Sequence, residues 1–540
     1  MGRSRGLRAV LATLGVVLIG AAVPALATPP TTFNPIIELQ NYAITLQRSA
    51  TYNTLSYQLL QGQISTVNGA HALEDELADP SREFFTDLCW SGYNACAGDA
   101  RLYKWSTNHY GIVRPVLFTA RNGATISGHV WATVAGPAHR PAIVITNGSV
   151  QADEQMYWYV AQALAKAGYV VLTFDPQGQG QSDTLGVGTD LFEGFPAQTD
   201  GRPFYDGTED AINFLVSTPA QPYEPVPSCG TGTSHADKQN AGVAAGQKSA
   251  YNPFWQLIDP SEIGLAGHSY GAAGVSYIGQ WDPRVKTIVA WDNLGAPSPK
   301  GSSGGEAGCP GDPAARTTVP ITKPALGLSA DYFLPPTPNL SLPNPLAKST
   351  ESLAYSAAGV DTGQIIIRGG SHLDFSYIPF AALGASLRGP DLAAWYTTAW
   401  FDKYLKHDPS ADARLLTNRW RTDAITQRVD PRHDPNAFSF YYLSRLDIHL
   451  ANSTPVDCED LRDGCAALMA NDGVVGTYSY LATDTHTDAL TGPGATIAAP
   501  GPNSIYAQPL TAAQVAALAA KLPKNLAATI AAGLTALAGG

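Results

Sequence analysis

The stretch IGLAGHSYGAAG, residues 263–274, decides how the rest of the chain is read. Ile263, Leu265 and Ala266 make a short apolar strand, Gly267-His268-Ser269-Tyr270-Gly271 a turn, and the small residues after it can open a helix. A strand-to-helix turn this tight holds its central residue in a strained conformation, and only very small neighbours leave room for it. Glycines two before and two after Ser269 meet that need. Such a turn lifts the serine hydroxyl above the sheet and puts the next N–H at a helix start, where it can stabilise an oxyanion. A G-x-S-x-G pattern also arises by chance in a chain with 52 glycines. The surrounding segments must therefore supply the context.

Outward from this turn, strand and helix patterns alternate. PVLFTARNGATISGHVWATV (115–134) reads as two antiparallel strands around Asn122-Gly123. PAIVITNGS (141–149) is a buried strand ending in a turn, and MYWYVAQALAKAG (156–168) has helix texture with a glycine stop. YVVLTFDPQGQGQSD (169–183) is a strand with a glycine-rich loop, and DGTEDAINFLVSTP (206–219) a helix with Asp206 as its cap. Later strands are VKTIVAWDN (285–293), PALGLSADYF (324–333) and GQIIIRGGSH (363–372), and DLAAWYTTAWFDKYL (391–405) is an aromatic-rich helix. Near-continuous apolar strands separated by helices predict an α/β fold, a mostly parallel sheet with helices on both faces. Ligands in such sheets sit at the carboxyl ends of the strands.

A serine hydroxyl is a weak nucleophile and needs a histidine base that a carboxylate orients. Of the eleven histidines, His372 alone follows the last core strand in a glycine-rich turn. His268 adjoins the serine in sequence and is expected to pack or bond locally. Asp331 ends the PALGLSAD strand, where the acid is expected; Asp292 ends the preceding strand and is the alternative acid. The turn after PAIVITNGS supplies a second oxyanion donor, the N–H of Ser149, to pair with that of Tyr270. Asn147-Gly148-Ser149 also fits a glycosylation acceptor, a reading set aside because the turn would be buried at the site. The DPQGQGQSD glycines lack phosphate-binding spacing.

Together these residues resemble the α/β-hydrolase superfamily over roughly 113–405, with Gly267–Gly271 as nucleophile elbow and His372 as base. Within it the chain looks most like secreted bacterial esterases related to dienelactone hydrolases and cutinases. The DPQGQGQSD loop stands where such enzymes often carry Asp-x-Arg-Gly-x-Gly-x-Ser, with Gln177 replacing the arginine. Trp291 stands where cutinase-like enzymes can have an aromatic near the acyl site, which makes it a candidate substrate contact. The resemblance implies acyl transfer to water without metal or cofactor, and leaves the substrate open. Residues 221–260 are a long insertion that enters at the sheet end opposite the site. Residues 295–320 and 334–345 start at the site end and could wall a pocket.

The remainder of the 540 residues frames this core. Arg3, Arg5 and Arg8 precede an apolar run, 9–23, that ends in Ala25-Leu26-Ala27, the pattern of a signal peptide. Its removal leaves 30 basic residues against 45 acidic ones, so the net charge moves from −12 to −15, a poor balance for nucleic-acid binding. Six cysteines suit an oxidising compartment; Cys89/Cys96 and Cys458/Cys465 are close pairs that leave Cys229 and Cys309, although fifteen connectivities are open. The expected domains are a signal peptide (1–27), an N-terminal helical extension (28–112), a catalytic domain (113–408), a C-terminal extension (409–490), and a linker with an alanine-rich tail (491–540). No stable membrane span is expected in the mature chain. The expected function is a secreted or cell-envelope serine hydrolase of carboxylic esters. Alternatives are a peptidase or acyltransferase on the same fold, or a non-catalytic envelope binding protein.

Overall fold

Six short, almost wholly apolar segments build the parallel centre of a ten-stranded sheet. The structure, a computed structural model, describes residues 33–50, 111–149, 153–197, 200–298, 317–333, 336–376, 388–420, 436–465 and 471–475. The strands are β1 (Gly111–Thr119), β2 (Thr125–Thr133), β3 (Arg140–Thr146), β4 (Val170–Phe174), β5 (Ile258–His268), β6 (Val285–Trp291), β7 (Ala325–Ala330) and β8 (Thr362–Ile367). A separate two-stranded parallel sheet joins β9 (Thr417–Trp420) to β12 (Asn471–Val475), and β10 (Arg445–His449) and β11 (Pro455–Cys458) belong to the main sheet. The order is β1-β2-β4-β3-β5-β6-β7-β8-β10-β11. Neighbours from β4 to β8 run parallel, whereas β1, β2, β10 and β11 join antiparallel. The sheet is therefore mixed. Its antiparallel end at β10 and β11 continues beyond residue 408, in the segment expected to be a C-terminal extension.

The central strands are apolar throughout because both faces are covered. Helices α2 (Trp158–Lys166) and α7 (Arg388–Leu405) share one core with Ile143, Ile145, Val289 and Trp291. Helices α3 (Arg202–Leu215) and α5 (Tyr270–Trp281) close the other with Val144, Leu172, Leu265 and Ile288. Each fully buried Ile, Leu or Val contributes about 1.5–3 kcal/mol relative to exposure. Helix α3 starts at Arg202, with Pro203 in its first turn, so Asp206 is inside the helix and not its cap. Asp206 faces the buried Arg121, whose guanidinium also meets Glu209 and Asp210.

Three smaller helices complete the described chain. Helix α4 (Ala236–Ala244) belongs to the 221–260 insertion, α6 (Thr350–Ala357) leads into β8, and α8 (Ala411–Leu415) follows α7. Helix α1 (Pro35–Ala50) is the described part of the N-terminal extension. Phe33 and Ile37 pack against Ile366, Phe440, Tyr441 and Tyr442, and Glu38 and Asn41 are fully buried. Cys458 and Cys465 form a disulfide with Cα atoms 5.4 Å apart, and Cys229 is also disulfide-bonded. The signal segment, Cys89, Cys96, Cys309 and the alanine-rich tail lie outside the described residues. Among the described residues no helix is long and apolar enough to cross a membrane.

Candidate active site

Strand β5 ends at His268 and α5 begins at Tyr270, which leaves Ser269 alone to make the turn, at φ 57° and ψ −115°. That backbone is strained for a residue with a side chain. Sterics explain the flanking glycines. A Cβ on Gly267 would stand 2.4 Å from the carbonyl oxygen of Gly271, and one on Gly271 would stand 2.2 Å from that of Thr146. The Ser269 N–H donates to the carbonyl of Trp291 at 2.9 Å, fastening the turn to the end of β6. Tyr270 is the first residue of α5, so its N–H is among those with no carbonyl one turn earlier in the helix. The turn after β3 lies against this one: a Cβ on Gly148 would be 3.0 Å from Ser269 Cβ. Ser149, partly exposed, follows directly.

His372 opens a short 3-10 turn after β8, and its Nδ1 lies 2.6 Å from Oδ2 of Asp292. Both side chains are over nine-tenths buried. Asp292 follows β6 with a left-handed backbone, φ 43°. Burial alone would raise its pKa. The hydrogen bond from His372, with the nearby positive charge of His372 and Lys348, outweighs burial and holds it below the usual carboxylate value.

Asp331, the acid expected first, is elsewhere. Its Oδ2 accepts the N–H of Gly369 at 2.6 Å and the amide of Asn41 at 3.1 Å. The Tyr332 N–H donates to the carbonyl of Gly370 at 3.0 Å, so the end of β7 braces the backbone just before His372. Strand neighbourhood decides the difference. Asp331 sits beside β8 and is taken up by the turn's backbone; Asp292 lies one strand further in and meets the imidazole. Asp374, also after β8, caps the turn by accepting the Ser371 N–H at 2.6 Å.

His268 is a bridge. Its Nδ1 is 2.7 Å from the Tyr157 hydroxyl and its Nε2 is 2.9 Å from the carbonyl oxygen of His372. A carbonyl only accepts, so Nε2 carries the proton and Nδ1 accepts from Tyr157. Burial first, and His372 second, push the His268 pKa down to about 3, so the ring stays neutral. The Tyr157 hydroxyl in turn accepts the Gly148 N–H at 3.4 Å. One chain of contacts thus runs from the β3 turn through Tyr157 and His268 to the backbone of His372. Nothing in MYWYVAQ distinguishes Tyr157 from a core aromatic, so the sequence reading passed over it.

Trp291 is fully buried, stacked on Tyr157 at 6.1 Å, and donates from Nε1 to Thr397 at 2.9 Å. It packs as core between the sheet and α7, and not at an exposed acyl site. Phe333, 65% exposed, has its ring 4.8 Å from that of His372. The DPQGQGQSD loop folds around its own first residue. Asp175 accepts the N–H groups of Glu154 and Gln181 at 2.7 and 2.8 Å, and burial beside Glu154 pushes it up to about 7. Gln177, which stands in place of the arginine of similar enzymes, donates to the carbonyls of Thr184 and Glu193.

No family model matches the chain. A thiohydrolase of Arthrinium phaeospermum is 26% identical over 182 residues, 33% of this chain and 43% of that protein. The chain thus spans less than half the length of the relative it matches, and its membership of the α/β class rests on the mixed, helix-covered sheet together with this distant similarity.

Proposed function

We propose that this chain is a serine hydrolase of the α/β-hydrolase superfamily that cleaves carboxylic esters through an acyl-enzyme. The observation that carries the reading is the 2.6 Å pairing of His372 with Asp292, next to a strained serine turn fastened to the same strand end. In this reading Ser269 Oγ attacks the ester carbonyl carbon while His372 Nε2 takes its proton. The tetrahedral oxyanion is held by the N–H groups of Tyr270 and Ser149. Collapse breaks the bond to the leaving alcohol, which receives the proton from His372. Water, deprotonated by the same imidazole, then attacks the acyl-serine and releases the acid. Asp292 keeps Nδ1 protonated and stabilises the imidazolium formed at each transfer. Phe333 offers the substrate an apolar contact beside the base.

The name of the similar protein favours a second substrate class on the same machinery, thioesters. Attack and acyl-enzyme are unchanged; the leaving thiolate needs less help from the acid. The chain is read as exported, with its disulfides formed outside the cytoplasm. The test is hydrolysis of acyl esters and the matching thioesters, of graded chain length, by wild type and Ser269→Ala. Turnover lost in the variant while its circular dichroism is unchanged supports the reading. Turnover retained in the variant sinks it.

A further inference from the structure

We propose that Glu38, on helix α1 ahead of the catalytic core, is a positioning residue that holds Phe333 beside His372 and so sets a preference for esters with an apolar acyl chain longer than acetyl, a role that rests on the serine-hydrolase reading above. Helix α1 docks in part by apolar contact, through Phe33 and Ile37 against Ile366, Phe440, Tyr441 and Tyr442. Two further side chains on the same helix, Glu38 and Asn41, are polar and fully buried. They are three residues apart and so share one face. A satisfied buried polar network fixes one arrangement of the parts it joins.

The partners of that face converge on one stretch of chain. Glu38 Oε1 accepts the Tyr332 hydroxyl at 2.9 Å and the Asn339 N–H at 2.6 Å, and Asn41 donates to the Tyr332 hydroxyl at 2.9 Å. Tyr42, four residues on from Glu38, donates its hydroxyl to the carbonyl of Pro336 at 3.1 Å, and its ring meets that of Tyr332 edge-on at 5.6 Å. One carboxylate oxygen therefore fixes a residue before Phe333 and a residue after it. Each of the two adjoins an exposed large apolar side chain: Phe333, 65% exposed, follows Tyr332, and Leu340, 49% exposed, follows Asn339. The same stretch is tied to the base, since the Tyr332 N–H donates to the Gly370 carbonyl and Asp331 accepts the Gly369 N–H. Phe333 is thus set against the imidazole, 4.8 Å ring to ring, from the His372 turn on one side and from α1 on the other.

Folding alone does not call for this clamp. An apolar side chain in place of Glu38 would serve docking as well, because burying a carboxylate is unfavourable. A phenyl ring left in water contributes little to stability, so fixing the residues next to it gains nothing for the core. Both features fit a ring that is covered by substrate. An acetyl group is too short to cover it, whereas an acyl chain of roughly six carbons can, and each methylene group removed from water then strengthens binding.

The test compares kcat/KM of the purified full chain on p-nitrophenyl hexanoate and p-nitrophenyl acetate. Wild type should prefer the hexanoate. Glu38→Ala should lower the hexanoate-to-acetate ratio about tenfold, as for roughly two methylene groups left in water. Glu38→Gln keeps an acceptor oxygen for Tyr332 and Asn339 and should keep the wild-type ratio. Phe333→Ala should lower the ratio to the same level, and the double variant should go no lower, because the two act on one contact. A helix with a merely structural role would depress both esters alike. If Glu38→Ala fails to fold, Tyr42→Phe, which removes only the hydroxyl on Pro336, should still lower the ratio about threefold. A wild type that prefers acetate, an unchanged ratio in the folded variants, or losses from Glu38→Ala and Phe333→Ala that simply add would overturn this role and leave the serine-hydrolase reading standing. Folded wild type that turns over neither ester overturns both.

Discussion

Replacing Asp292 with asparagine should cripple turnover, whereas the same change at Asp331 should not. Asp292 and His372 are both shielded from water and 2.6 Å apart, so the imidazolium formed during attack faces an unscreened carboxylate. Unit charges about 4 Å apart at an effective dielectric of about 20 attract by about 4 kcal/mol. At 1.36 kcal/mol per tenfold, that corresponds to a roughly thousandfold loss of rate. An amide can also hold His372 in the wrong tautomer, and similar changes in other serine triads reach about 10⁴. Asp292→Asn should therefore lower kcat by about 10³–10⁴ with KM little changed. Asp331→Asn retains an oxygen to accept from Gly369 and Asn41, so its kcat should stay within about threefold, with a stability loss of about 1–2 kcal/mol. The assay is steady-state hydrolysis of a short acyl ester across pH 5–9, with denaturant melts of both variants. A large kcat loss in Asp331→Asn beside near-normal Asp292→Asn would refute the reasoning.

Other consequences follow from the same contacts. Tyr157→Phe removes the hydroxyl shared by the Gly148 N–H and His268, so kcat should fall about fivefold at unchanged KM, since one neutral hydrogen bond contributes about 1 kcal/mol; His268→Leu should match it and His268→Gln should recover part. Gly271→Ala drives a Cβ to 2.2 Å from the Thr146 carbonyl, so the protein should lose several °C in Tm and most of its activity in one step. Glu38 is raised from 4.5 to about 7, first by its burial, against hydrogen bonds from Tyr441, Asn339 and Tyr332 and with the nearby Asp331 charge raising it further. The folded chain thus holds a proton there that the unfolded chain gives up, and docking of α1 should weaken as pH rises from 4.5 to 7, by at most about 3 kcal/mol. Hydrogen exchange of residues 33–50 at pH 5 and pH 8 reads this directly, and Glu38→Gln should abolish the difference.

How far the chain could be read depended on which contacts are local. Runs such as AIVIT and GQIII announce strands buried on both faces, and the elbow glycines are dictated by clashes within four residues or with the adjoining strand. Those were legible. The partner of His372 was not, because Asp331 and Asp292 both end strands and only the order β6-β7-β8 with the backbone bonding of Gly369 separates them. Trp291 looked like a site aromatic by position along the strand, but it is stacked on Tyr157, 134 residues earlier, a pairing no periodicity reports. The antiparallel additions β10 and β11 were hidden for the same reason: β10 pairs with β8 across about 80 residues of chain, and β11 pairs with β10. The 221–260 insertion returns at 246–249 to lie over the β1/β2 edge, where the Ser249 N–H donates to the Leu117 carbonyl, a contact no local pattern announces.

The most direct test of the central claim is to treat the purified chain with a fluorophosphonate and map the adduct by mass spectrometry. The account predicts one stoichiometric adduct, on Ser269, that is lost in His372→Ala and strongly slowed in Asp292→Asn. Well-folded protein that remains unlabelled, or an adduct on Ser269 that forms equally fast without His372, would contradict it.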